Sequence, residues 1–136
     1  MANLEIVNND SSTLVIGSTG IPKYRDGVFT AASAKTFPAG TILALDTATF
    51  KYVVYVKGGS TNGNGVPLAF MGVKLVTDGA GDNVVRPLVS ATVNRNLLVI
   101  DADGTNANVD EVVIAELRDY TLIVEDVAEL SSFDNQ

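Results

Sequence analysis

The sequence predicts a mainly β fold with one short α-helix near residues 108–119 and an extended N-terminal segment. Three observations carry this. Short runs rich in Val, Ile, Leu, Thr and Tyr recur along the chain, each too brief for a helix. Clusters of Gly, Asn, Asp and Pro separate them. One stretch alone carries an apolar stripe at helical spacing, and it lies near the C-terminus.

Taken in order, residues 4–7 and 13–17 are β-prone runs parted by the polar turn Asn8-Asn9-Asp10-Ser11-Ser12. Residues 18–35 lose clear periodicity and read as an extended connector. A Pro38-Ala39-Gly40 turn leads into a strand over 41–46, paired with a second over 52–57 across the turn between Asp46 and Lys51. The segment Gly58-Gly-Ser-Thr-Asn-Gly-Asn-Gly65 favours positive φ and reads as a loop. A strand over 68–76 is interrupted by Gly72, which marks a bulge or close approach. A further strand runs over 83–93 and another over 97–100. Pro67 and Pro87 cannot donate to a ladder, so each belongs at a strand start, an edge or a bulge. The shared Val-Pro-Leu character of these two places suggests adjacent strands of one meander.

The helix is expected to start at Asn108 as N-cap, with Glu111 three residues later as its capping-box partner. Val109, Val112, Val113 and Leu117 supply the apolar stripe. Asp110 and Glu111 sit at the positive end of the macrodipole and Arg118 at the negative end. Residues 121–124 resume β character.

At 136 residues the chain suits one domain that buries roughly two-thirds of its unfolded surface. Hydrophobic residues make up 46% and charged ones 18%, which places it among globular chains. No apolar run approaches membrane-spanning length, and no secretory signal is expected from the opening Met-Ala-Asn-Leu-Glu-Ile-Val. Charge is uneven: residues 1–100 carry 8 Lys/Arg against 6 Asp/Glu, whereas residues 101–136 carry only Arg118 against 10 acids. A net charge of −7 repels phosphate backbones, so neither nucleic acid nor membrane is an expected partner.

No catalytic machinery is legible. Without histidine or cysteine there is no Ser-His or Cys-His nucleophile system, and no phosphate-cradling Gly-rich loop opens a helix. We therefore expect no enzyme activity and no cofactor. The one motif with chemical content is Asp101-Ala-Asp103-Gly104-Thr105-Asn106, whose spaced carboxylates suit calcium. It departs from the EF-hand loop, since the turn glycine falls at the fourth position and Val112 at the twelfth, so a strand-to-helix turn is the reading adopted. The tyrosines and phenylalanines match no stacking module and are assigned to core and interface packing.

The stretch Ser33-Ala-Lys-Thr-Phe-Pro-Ala-Gly-Thr-Ile-Leu-Ala-Leu-Asp-Thr-Ala-Thr-Phe-Lys-Tyr-Val-Val-Tyr-Val56, followed by the Gly/Asn loop and Val66-Pro-Leu-Ala-Phe-Met-Gly-Val73, resembles the head-decoration proteins of lambda-like tailed phages. The resemblance implies a small open barrel, described for that family as tulip-like, with a short helix. It further implies a homotrimer on the outer surface of the virion head, bound to the major capsid protein at local threefold sites and reinforcing the expanded shell against packaged DNA. In that family an N-terminal arm adds a strand to capsid elements. The corresponding division here is an arm over 1–32 and a β-rich domain over 33–136, with Leu4, Glu5, Ile6, Val7, Leu14 and Ile16 as capsid-binding residues. The competing assignment pairs the two N-terminal runs with each other or with the domain's own sheet. Alternative functions are another virion component, such as a head-fibre base or tail protein, and a small calcium-binding secreted β module.

Overall fold

The computed structural model describes residues 14–16 and 21–126. In chain order the strands are β1 (Lys23–Tyr24), β2 (Gly27–Ala31), β3 (Lys35–Phe37), β4 (Ile42–Leu45), β5 (Tyr52–Val54), β6 (Ala69–Phe70), β7 (Leu75–Thr77), β8 (Gly81–Val85), β9 (Leu88–Asn94) and β10 (Leu122–Glu125). A 3-10 turn spans Arg95–Leu97, and helix α1 spans Glu111–Arg118. Among the described residues the main sheet runs β1-β9-β6-β4-β5-β2-β8, with β10 added in parallel to β9, while β3 and β7 form a separate ribbon. The sheet curls into an open half-barrel, so the mainly β fold with a short helix is as expected.

The β4–β5 hairpin follows from its alternation and its turn. Leu43 faces Val54 and Leu45 faces Tyr52, and Asp46 closes the turn by accepting from the amides of Ala48 and Thr49 at 2.8 and 3.2 Å. Alternation then sends neighbouring side chains to opposite faces. Ile42 and Phe70 enter one apolar cluster with Val113, Leu117 and Leu122, whereas Leu43, Ala69 and Met71 enter another with Phe29, Phe37 and Tyr52. The central strands are thus covered on both sides, by α1 on one and the β3–β7 ribbon on the other.

Several local expectations need correction. The connector expected over 18–35 contains β1 and β2, and β2 lies between β5 and β8 rather than outside the sheet. Its sequence, Gly-Val-Phe-Thr-Ala, looks weak because Gly27 lowers strand propensity. That glycine is required, since a Cβ there would stand 2.6 Å from the buried Tyr52 ring. The strand expected over 68–76 is two strands, β6 and β7, which part near Gly72 and join different sheets. Residues 83–93 likewise divide at Arg86-Pro87 into β8 and β9. The two Pro-Leu exits do lead to neighbours, because Phe70 of β6 faces Leu88 of β9, yet no simple meander joins them.

Residues 97–100 are not a ladder strand. The Asn94 side chain accepts from the amide of Asn96 at 3.0 Å and turns the chain, after which Val99 forms an isolated parallel bridge with Thr41. Leu98 and Ile100 still enter the core, as alternation requires.

Helix α1 starts two residues later than expected. Its N-cap is Asp110, whose carboxylate accepts from the amides of Val112 and Val113, while Asn108 donates to Asp103. An anionic cap also meets the positive end of the macrodipole, which a neutral Asn108 does not. Glu111 is then the first helical residue and no capping box forms. The shift rotates the buried face: Val113, Ile114 and Leu117 are inside, and Val112 is exposed.

Candidate functional site

The N-terminal run is where the family resemblance implies contact with the capsid. Leu4, Glu5, Ile6 and Val7 lie outside the described residues. Leu14, Val15 and Ile16 lie along β9 of the chain's own sheet: Val15 bridges Val93 in antiparallel register, Ile16 donates its amide to Thr92 at 2.9 Å, and Asn94 donates to Leu14 at 2.8 Å. Ile16 is buried, and Leu14 and Val15 pack against the helix-side core cluster. On the same edge Lys23 and Tyr24 of β1 face Ser90 and Leu88. Positions 14–16 therefore carry anchoring contacts to the domain itself.

The opposite margin of the sheet is β8, which pairs with β2 and has no second strand partner among the described residues. Lys51 reaches across to it, at 2.6 Å from the Asp82 carboxylate, which also accepts from the Thr30 hydroxyl at 2.9 Å. These two hydrogen bonds, Lys51 first, hold Asp82 below the usual carboxylate range.

Acidic residues of the C-terminal third meet cations of the earlier chain. Asp101 pairs with Lys35 at 2.7 Å, Asp110 with Lys57 at 2.6 Å and Asp126 with Arg95 at 3.8 Å. The charge asymmetry of the sequence is thus partly matched within the fold, while Asp103, Glu111, Asp119 and Glu125 are exposed. The Lys57 hydrogen bond, followed by that from the Val113 amide, lowers the Asp110 pKa. Both lowered carboxyls favour the folded state above about 3.9, the ordinary Asp value, and this contribution is lost as pH falls through their lower folded values. Asp110→Ala is expected to lower the melting temperature by a few degrees at pH 7 through loss of the cap. Its effect should shrink on acidification below pH 4, and an unchanged difference between pH 7 and pH 3 would contradict this assignment. Burial, then Glu116 and Asp110, pushes the Tyr55 hydroxyl up.

At the 101–106 segment Gly104 has a φ of 70° and Ile100 bridges Thr105, forming a tight turn. The two carboxylates are turned to different tasks, Asp101 to Lys35 and Asp103 to the Asn108 side chain at 2.9 Å. Among the described residues no group of three or more potential metal ligands comes together. Of the aromatics, Phe29, Phe37, Tyr52, Tyr55 and Phe70 are buried, whereas Tyr24, Phe50 and Tyr120 are exposed. Phe133 lies outside the described residues.

Compared with protein families, residues 7–122 match the one described as bacteriophage lambda head decoration protein D. No curated protein matches the chain.

Proposed function

Since the chain belongs to the bacteriophage lambda head decoration protein D family, a structural virion protein that decorates the phage capsid, we propose that it binds as a homotrimer at the threefold sites of the expanded icosahedral head. There it contacts the major capsid protein on the outer surface and reinforces the shell against the pressure of packaged DNA.

The observation that carries this reading is the edge-bound anchor at residues 14–16. It fixes Leu14–Ile16 on the β9 edge, and in this reading the preceding apolar residues Leu4, Ile6 and Val7 add a strand to a capsid neighbour. The division into arm and domain is then drawn before Leu14, since β1 and β2 belong to the sheet. Leu14 and Ile16 serve as the hinge of the arm.

Magnitudes favour a multivalent clamp. Each strand hydrogen bond contributes about 0.5–1.5 kcal/mol net, whereas ordering each residue costs about 1–2 kcal/mol. One arm therefore binds weakly unless Leu4, Ile6 and Val7 are buried as well. Three arms on one trimer make the later contacts intramolecular, which raises avidity by roughly 10²–10⁴ without new chemistry.

Two truncations test the arm. Removing residues 2–13 keeps Ile16 on β9, so the domain should keep its melting temperature while losing most of its co-sedimentation with expanded, undecorated heads. Removing residues 2–17 should also destabilise the domain, by the roughly 1.5–3 kcal/mol that burying an isoleucine contributes. Full head binding by the shorter truncation would take the arm out of the mechanism.

A further inference from the structure

The turn between β4 and β5 presents Phe50 with 78% of its surface exposed. Its φ is 62°, a left-handed conformation that side-chain-bearing residues rarely adopt. The turn is held firmly, with Phe50 donating to the Asp46 carbonyl at 2.7 Å and Asp46 donating to Lys51 at 2.8 Å. Such a turn is served best by glycine, so local structure gives no reason for a phenyl ring directed into water. Strained, well-supported positions of this kind point towards function.

A matching hollow lies at the other end of β8. Met71, Gly72, Val73, Leu75, Val84 and Val85 line a mainly apolar groove of about 250 Å³. Val73 and Val84 are 75% and 86% exposed at its mouth, an unusual display of β-branched side chains beside a strand edge that has no second partner among the described residues. A cavity of about 150 Å³ accommodates benzene, so the groove has room for a phenyl ring. Gly72 lets the chain pass close to its neighbours there, since a Cβ would press on the Arg86 carbonyl and the Tyr24 ring, each at 3.1 Å.

The flanking charges suit a second copy as the occupant. The knob is flanked by a cation and an anion, Lys51 and Asp82, and the groove by another such pair, Asp26 and Arg86. The second pair is loose, at 3.5 Å, with both side chains largely in solvent. Two copies meeting knob to groove can bring Lys51 to Asp26 and Arg86 to Asp82, so this surface complements itself across a contact between unlike faces. Head-to-tail contacts close into rings when the rotation permits. We propose that Phe50 of one copy inserts into the Val73–Val84 groove of the next, and that three such contacts build the trimer. This rests on the trimeric reading given above and names the surface that makes it.

Because the chain has no cysteine, introduced thiols report the contact cleanly. The Phe50→Cys and Val73→Cys variants, mixed in equal amounts and oxidised both free and on expanded heads, should give a disulfide-linked dimer that neither gives alone. The double variant should give a covalent trimer. Phe50→Gly, which suits the positive φ and should fold at least as well by circular dichroism, should raise the dissociation midpoint of the trimer at least about tenfold, equivalent to 1.4 kcal/mol. A wild-type trimer with no cross-link, and with Phe50→Gly associating normally, would overturn this interface while leaving the trimer standing. A Val73→Cys thiol that capsid shields from alkylation, without linking to Phe50→Cys, would assign the groove to capsid protein and also overturn it. A wild-type protein monomeric both free and on heads would overturn interface and trimer together.

Discussion

Phe29→Ala should cost the domain about 3–5 kcal/mol, a large share of the roughly 5–15 kcal/mol that holds a typical native chain together. Phe29 is fully buried at the middle of β2, where it faces Tyr52 of β5 on one side and Asn83 of β8 on the other. Its ring meets that of Phe37 edge to face, with centroids 5.0 Å apart and planes at 76°. Truncation therefore opens a cavity and also removes an aromatic contact worth about 0.5–1.5 kcal/mol. In urea, with a slope of about 2 kcal/mol/M, the midpoint should fall by roughly 2 M. Phe29→Leu should recover most of the loss because it keeps much of the volume. A penalty below about 1 kcal/mol for the alanine would mean that β2 is not the core strand described here.

Gly40→Ala is expected to be nearly as damaging, for a different reason. Pro38-Ala39-Gly40-Thr41 forms a turn in which Thr41 donates to the Pro38 carbonyl at 3.1 Å and Gly40 has a φ of 97°, the geometry of a type II turn. The backbone there is also enclosed: Gly40 donates to Met71 at 2.8 Å and accepts from Val99 at 3.0 Å. An added Cβ would lie 2.2 Å from the Leu97 carbonyl oxygen. Left-handed strain of about 1–3 kcal/mol and overpacking of about 1–3 kcal/mol act together, so the loss should be on the order of 3 kcal/mol. Two other glycines separate these effects. Gly58 has a φ of 77° with open space around it, so Gly58→Ala should show strain alone, whereas Gly79 has neither feature and Gly79→Ala should be nearly neutral. Equal losses at all three positions would contradict the distinction.

What the residues disclosed in advance follows from how local each signal is. The β4–β5 pair was legible because Ile-Leu-Ala-Leu and Tyr-Val-Val flank a self-contained Asp46 turn. Helix α1 was legible through its stripe, although placing the cap at Asn108 rather than at Asp110, two residues on, left its start and its buried face displaced. β1, β2 and β3 left little trace because they are short and depend on distant partners: Ser90 and Leu88 for β1, Tyr52 and β8 for β2, and Leu75–Thr77 for β3. The anchor at Leu14 and Ile16 showed its β character in sequence, but its pairing with β9 is a contact across nearly 80 residues that no local pattern encodes. Phe50 and the Val73–Val84 groove were invisible for the same reason, since exposure is a property of the folded surface.

The proposed bridging of capsid subunits can be checked by adding purified protein to expanded, undecorated heads and imaging the particles by electron microscopy. Saturable three-lobed density on the outer surface at the threefold positions is the predicted result. Bare heads at saturating protein, or density away from the threefold positions, would contradict it.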